Sequence, residues 1–69
     1  MNTALFKAYL AQHRETQASF AEKLGLSASR LNAKINHTNG AEFLQSEITV
    51  IQQLWQLTAQ EVYLLFFNQ

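Results

Sequence analysis

The stretch from Thr16 to Asn36 constrains this chain most, because it encodes two short helices and the turn between them in consecutive residues. The Thr16 hydroxyl caps a helix from Gln17 to Leu24 that turns Phe20, Ala21 and Leu24 inward. Gly25 then stands where a helix stops in a left-handed residue, a conformation glycine adopts without steric cost. Leu26 supplies the apolar contact that accompanies such a stop, and Ser27 caps a further helix from Ala28 to about Asn36 with Leu31 and Ile35 on its inner face. Small Ala21 lets the two helices approach closely. Two helices joined by a three-residue turn containing glycine form the unit whose second helix can project into a DNA major groove. An ordinary helical hairpin has a turn of the same length but does not require the paired caps.

The rest of the chain reads as helical too. Thr3 is the expected cap of a first helix running to about His13, with Phe6 and Leu10 on one stripe. His37 to Gly40 has the residue types of a loop. Ser46 is the expected cap of a fourth helix in which Ile48, Ile51 and Trp55 share a face. Thr58 and Glu61 form a capping box that opens a last helix to about Phe67. No proline interrupts these segments and no strand-like alternation competes with them. The fold class is all-α, five helices in one domain over residues 1–69. A chain of 69 residues buries a limited share of its surface, so its helices must pack well to be stable alone.

Composition narrows the function. No cysteine and no aspartate are present, and His13 and His37 fall on different elements. Neither a zinc site nor a nucleophile triad can be assembled from that set, so no enzyme, metal or cofactor is expected. His13 near the end of the first helix suits the negative end of its dipole when protonated. The N-terminus lacks a basic stretch followed by an apolar core, and the longest apolar run, Val62 to Phe67, is too short to span a bilayer, so a cytoplasmic protein is expected. Net charge is zero, but it is unevenly placed. Residues 1–34 hold all five cations (Lys7, Arg14, Lys23, Arg30, Lys34) against two glutamates, a net of +3. Residues 35–69 hold three glutamates and no cation, a net of −3. Such asymmetry suits one face for an anion and another for a different partner.

The run Thr16-Gln17-Ala18-Ser19-Phe20-Ala21-Glu22-Lys23-Leu24-Gly25-Leu26-Ser27 resembles the segment shared by the Cro and lambda-repressor-like DNA-binding domains. Leu31 to Asn36, Phe43 to Ile48 and the aromatic pair Phe66-Phe67 are similar to a small phage-encoded subgroup of that superfamily. The resemblance implies a five-helix lambda-repressor-like domain with the helix-turn-helix at helices 2 and 3. It also implies a role in the choice between lysogenic and lytic growth in a bacterial host, with operator DNA as partner. Carried over by position, Gln17 would hydrogen-bond a DNA phosphate from the start of helix 2, where free N–H groups and the dipole attract anions.

In the recognition helix, placing Leu31 and Ile35 inward turns Ser29, Arg30 and Ala33 outward, with Asn32, Lys34 and Asn36 on the flanks. Ala28 sits at the tip that meets base edges in that family. Arg30 can take a guanine bidentately, Asn32 an adenine, and the alanines can touch thymine methyls. Lys34 is expected to contact phosphate, which positions a domain without reading sequence. The loop from His37 to Phe43 brings Glu42 rather than a cation, and Ala28 and Ala33 offer no base-edge hydrogen bond.

The last helix carries more apolar residues than one stripe can bury. With Val62, Leu65 and Phe66 inward, Tyr63, Leu64 and Phe67 are left over, with Trp55 as their neighbour. These four are the expected interface for a homodimer or a partner protein. Two functions therefore stand side by side: a Cro-like regulator that binds operator DNA as a dimer, and an antirepressor-like module that keeps the fold but binds a phage repressor protein.

Overall fold

A computed structural model describes residues 1–67. Its helices are α1 (Thr3–Gln12), α2 (Gln17–Leu24), α3 (Ala28–Ile35), α4 (Gln45–Trp55) and α5 (Ala59–Val62). A short 3-10 turn, Thr38–Gly40, follows α3, and α5 continues into a π-helical turn, Tyr63–Phe67. No strand is present among the described residues. The radius of gyration is 10.9 Å, close to the roughly 11 Å of a fully packed chain of this length.

The helices begin where side chains satisfy their free N–H groups. Asn2, not Thr3, caps α1, its side-chain oxygen accepting from the Leu5 amide at 3.0 Å. Thr3 is instead the first helical residue, and its hydroxyl donates to the Ile35 carbonyl at the end of α3, 2.9 Å away. Thr16 caps α2 reciprocally with Ser19, and Ser27 caps α3 by accepting from the Arg30 amide at 3.1 Å. Helix α4 starts one residue before the expected Ser46 cap. There the Glu47 carboxylate reaches back to the Leu44 amide at 2.8 Å, so Leu44 takes the cap position without a capping hydroxyl. Thr58 and Glu61 bond each other's amides at the start of α5, as their spacing predicts.

Three helices stop in the same way. After α2, Gly25 adopts φ +71°, the Leu26 amide donates to the Ala21 carbonyl and the Gly25 amide to that of Glu22. This paired arrangement satisfies carbonyls that the helix leaves free. The ends of α1 and α4 repeat it with Arg14 (φ 56°) and Gln56 (φ 53°) in the left-handed position. Gly40, in the loop after α3, is also left-handed, at φ +79°.

Phe6 of α1 is the hub of the core and fully buried. Its ring meets Phe20 of α2 (6.1 Å between centroids), Phe43 of the loop before α4 (5.4 Å), Trp55 of α4 (5.1 Å) and Phe66 (6.2 Å). Leu31 and Ile35 of α3, Ile48 and Ile51 of α4, and Leu65 complete the buried cluster. Trp55 is 7% exposed and stacks with Phe20 at 4.7 Å and with His13 at 5.4 Å. It belongs to the core, which removes it from the expected interface. The first and last helices are closed together by the Asn2 amide donating to the Leu65 carbonyl (2.8 Å) and the Tyr9 hydroxyl donating to Glu61 (2.9 Å).

Candidate nucleic-acid interface

The α2–α3 unit is held from beneath by Phe20, Ala21, Leu31 and Ile35, all buried, with half-buried Leu24 and Leu26 packed against them. Because those residues take the inner side of α3, Ala28, Ser29, Arg30 and Asn32 are left exposed along its N-terminal half. Asn36, the C-cap, donates from its side chain to the Asn32 side-chain oxygen at 3.0 Å, which fixes the orientation of that amide. Gln17 is half-buried as the first residue of α2, and Ala33 is half-buried rather than fully outward.

Lys34 departs from expectation. It is 8% exposed, and its ammonium donates to Glu47 Oε1 at 2.6 Å. The same oxygen accepts the Leu44 amide, so one carboxylate atom both caps α4 and neutralises the lysine. Burial pushes the Glu47 carboxyl up, but the bonds from Lys34 and the Leu44 amide outweigh it and hold the group below the usual value of 4.5. Lys34 sits on the flank of α3 where α4 packs, and its four-carbon stem reaches the acid instead of solvent. It is therefore not placed to contact DNA phosphate.

Lys23 is also engaged. Its ammonium bonds Glu15 Oε1 just ahead of α2, while Glu15 Oε2 accepts from the Ser19 hydroxyl at 2.5 Å. These bonds hold the Glu15 carboxyl below its ordinary range. Both lysines of the α2–α3 unit are thus balanced by carboxylates lying outside its two helices. Lys7, Arg14 and Arg30 are exposed and form no ion pair among the described residues.

The second candidate surface lies on the π-helical turn. Tyr63 is 56% exposed, Phe67 55% and Leu64 39%, while Leu65 and Phe66 point into the core. This division matches the sequence expectation for the three surplus residues. Leu44, Val50 and Leu54 are further exposed apolar residues that the sequence reading missed. A signal for two of them was present: Val50 and Leu54 are four apart on α4, off the stripe of Ile48, Ile51 and Trp55.

A cleft of about 490 Å³ adjoins the π-helical turn, with Met1, Phe43, Ile48, Phe66 and Phe67 among its lining residues. His37 and Glu42 also line it, with His37 Nε2 and Glu42 Oε1 4.0 Å apart. Among the described residues, no group of three potential metal ligands forms, and no helix is long and apolar enough to cross a membrane. Comparison with protein-family models, with curated proteins and with solved structures found no match.

Proposed function

We propose that this chain is a phage-type transcriptional regulator that binds operator DNA, using α2 and α3 as a helix-turn-helix of the Cro and lambda-repressor-like kind. The observation that carries this reading is the exposed row Ala28, Ser29, Arg30 and Asn32 on a helix whose opposite side is sealed into the core. Arg30 would read a guanine with its guanidinium fork. Asn32, already oriented by Asn36, would offer its remaining amide donors and acceptor to an adenine. Gln17 would hold a phosphate at the start of α2.

Base reading falls to the N-terminal half of α3, since Lys34 at the other end is occupied by Glu47. Among the described residues three cations, Lys7, Arg14 and Arg30, form no ion pair, and counterion release from these three gives a salt slope of about −3 per chain. Such weak single-copy binding suits a dimer on two half-sites about one helical turn apart. Work of this kind places the protein in the cytoplasm of a bacterial host.

The test is a titration against duplex DNA flanking its own gene, over a series of low salt concentrations, beside a random duplex. Preference for the flanking duplex supports the reading. Equal binding to both, or none at the lowest salt, sinks it. A second reading, an antirepressor-like module that captures a phage repressor, is favoured by the exposed Tyr63, Leu64 and Phe67 and by the two neutralised lysines. Adding the neighbouring repressor to the same titration separates the two.

A further inference from the structure

The cleft beside the π-helical turn has two kinds of lining. Met1, Phe43, Ile48, Phe66 and Phe67 are apolar, while Lys34, His37 and Glu42 carry polar atoms. The core already holds part of the aromatic lining in place. The Phe43 ring stacks on buried Phe6 at 5.4 Å, and Phe66 meets Phe43 edge to face at 5.5 Å. Walls held in this way need little ordering when a ligand enters. The volume, about 490 Å³, falls within the range, roughly 300–1,000 Å³, of clefts that enclose small organic molecules.

The polar lining has two acceptors and no donor between them. His37 Nδ1 lies 3.0 Å from the Ala41 carbonyl, which can only accept, so Nδ1 carries the ring proton. In the neutral ring Nε2 is then an acceptor, and it stands 4.0 Å from Glu42 Oε1, a second acceptor. That separation is too long for a hydrogen bond between them. One ammonium, at about 2.8 Å from each, can bridge it. The chain that joins the two residues is left-handed at His37 (φ 55°), Asn39 (φ 53°) and Gly40 (φ 79°). For the two that carry a Cβ this backbone is costly, and such residues gather at ligand-binding positions.

We propose that this cleft binds a small primary amine with an aromatic body. Its ammonium donates to both His37 Nε2 and Glu42 Oε1, and its ring lies against Phe43, Phe66 and Phe67. Charge favours an amine over an acid at that place. While His37 is neutral, Glu42 has no paired cation among the described residues, and the ammonium of Lys34 is taken by Glu47 at 2.6 Å. The Met1 amino group is the other cation on a lining residue, which makes the matched acid the decisive control. The Glu42 side chain is 75% exposed, so water screens its charge and the aromatic walls carry much of the affinity. Lys34 belongs to α3, so the cleft adjoins the helix proposed to read DNA. An effect of the amine on DNA binding rests on that proposal, whereas the site itself does not.

The experiment is a titration of the isotope-labelled full chain with phenethylamine, without DNA, followed by amide NMR shifts. Saturable shifts gathered at His37, Glu42, Phe43 and Phe67 are expected. Hydrocinnamate, an acid of similar size, should bind about fivefold more weakly or less, and ethylamine, which lacks the ring, more weakly still. Glu42→Gln should weaken the amine by about threefold and narrow its preference over the acid. Phe67→Ser should weaken amine and acid alike. Both positions are exposed, so helical circular dichroism should not change, and the comparison of ligands on the unaltered chain needs no variant. Shifts that do not saturate, or that gather away from the cleft, overturn the proposal. Equal or tighter binding of the acid overturns it too, because the polar end would then belong to Lys34 or the Met1 amino group. So does a Glu42→Gln chain that binds the amine as before. Failure of the DNA titration leaves each of these outcomes readable.

Discussion

Lys34 and Glu47 meet at 2.6 Å across the junction of α3 and α4, and the carboxylate oxygen that takes the ammonium also takes the Leu44 amide. Removing the acid strands a buried cation, whereas removing the lysine leaves the acid its capping role. Glu47→Ala should therefore lower stability by about 3 kcal/mol, and Lys34→Met by less than about 1 kcal/mol, in urea unfolding. Equal losses would mean that the pair matters chiefly as an attraction between charges.

The same acid is one of three that shape the acid response. Glu47, Glu15 and Glu61 are all held below the ordinary carboxylate value of 4.5 in the folded chain. For Glu61 the Thr58 amide is the main cause, followed by the Tyr9 hydroxyl. Between the folded and unfolded values the unfolded chain binds more protons, so stability rises with pH there. The melting temperature should hold above about pH 5 and fall progressively as pH drops below 4.5. Glu47→Gln should flatten part of that fall, and an unchanged profile would show that this carboxyl titrates alike in both states.

On DNA, Arg30→Ala should cost about 1–3 kcal/mol and relax preference at one base pair. Lys34→Met should change neither affinity nor salt slope, since its ammonium is already neutralised within the chain. Fluorescence anisotropy with a matched and a mismatched duplex checks both. A flattened salt slope for Lys34→Met would show that the lysine leaves Glu47 when DNA binds.

Three of the chain's left-handed residues close helices in the same geometry, yet only one is glycine. Left-handed backbone costs a residue with a Cβ about 1–2 kcal/mol. Arg14→Gly and Gln56→Gly should each raise stability by up to about 1 kcal/mol, reduced by the extra freedom glycine has when unfolded. Gly25→Ala and Gly40→Ala should each lower it, by similar amounts, because a Cβ meets nothing within 4 Å at either position and the cost is conformational. Thermal melts of the four variants check the sign.

Trp55→Ala should cost about 3–5 kcal/mol, as emptying a core position does, and should not act selectively on self-association. A folded variant of normal stability but altered mass would return Trp55 to the interface.

These contrasts show what the residues themselves disclose. Helix positions follow from local features: the hydroxyls of Thr16, Ser27 and Thr58 and the stripe of Ile48, Ile51 and Trp55 act within a few residues of themselves. Their consequences could be read directly. Trp55 was misassigned because periodicity says which face is apolar but not which neighbour covers it; here the rings of His13, just after α1, and Phe20 of α2 do. Lys34 was misassigned because its partner lies thirteen residues away, beyond the reach of any helical spacing rule. Thr3 looked like a cap because its hydroxyl type is right, but the carbonyl it bonds belongs to α3. The stops at Arg14 and Gln56 carried no signal, since neither residue type favours the left-handed conformation that it adopts.

The central ring, Phe6, is made early in synthesis, while two of its contacts, Trp55 and Phe66, come from the other end of the described chain. Until α4 and the π-helical turn are available, α1 has only Phe20 and Phe43 to cover its buried ring. The Asn2 amide and the Thr3 hydroxyl likewise wait for acceptors on later helices. The core of this domain is therefore sealed only once the π-helical turn is in place, and a chain halted before Tyr63 would leave Phe6 and Trp55 without the Phe66 and Leu65 side of their cluster.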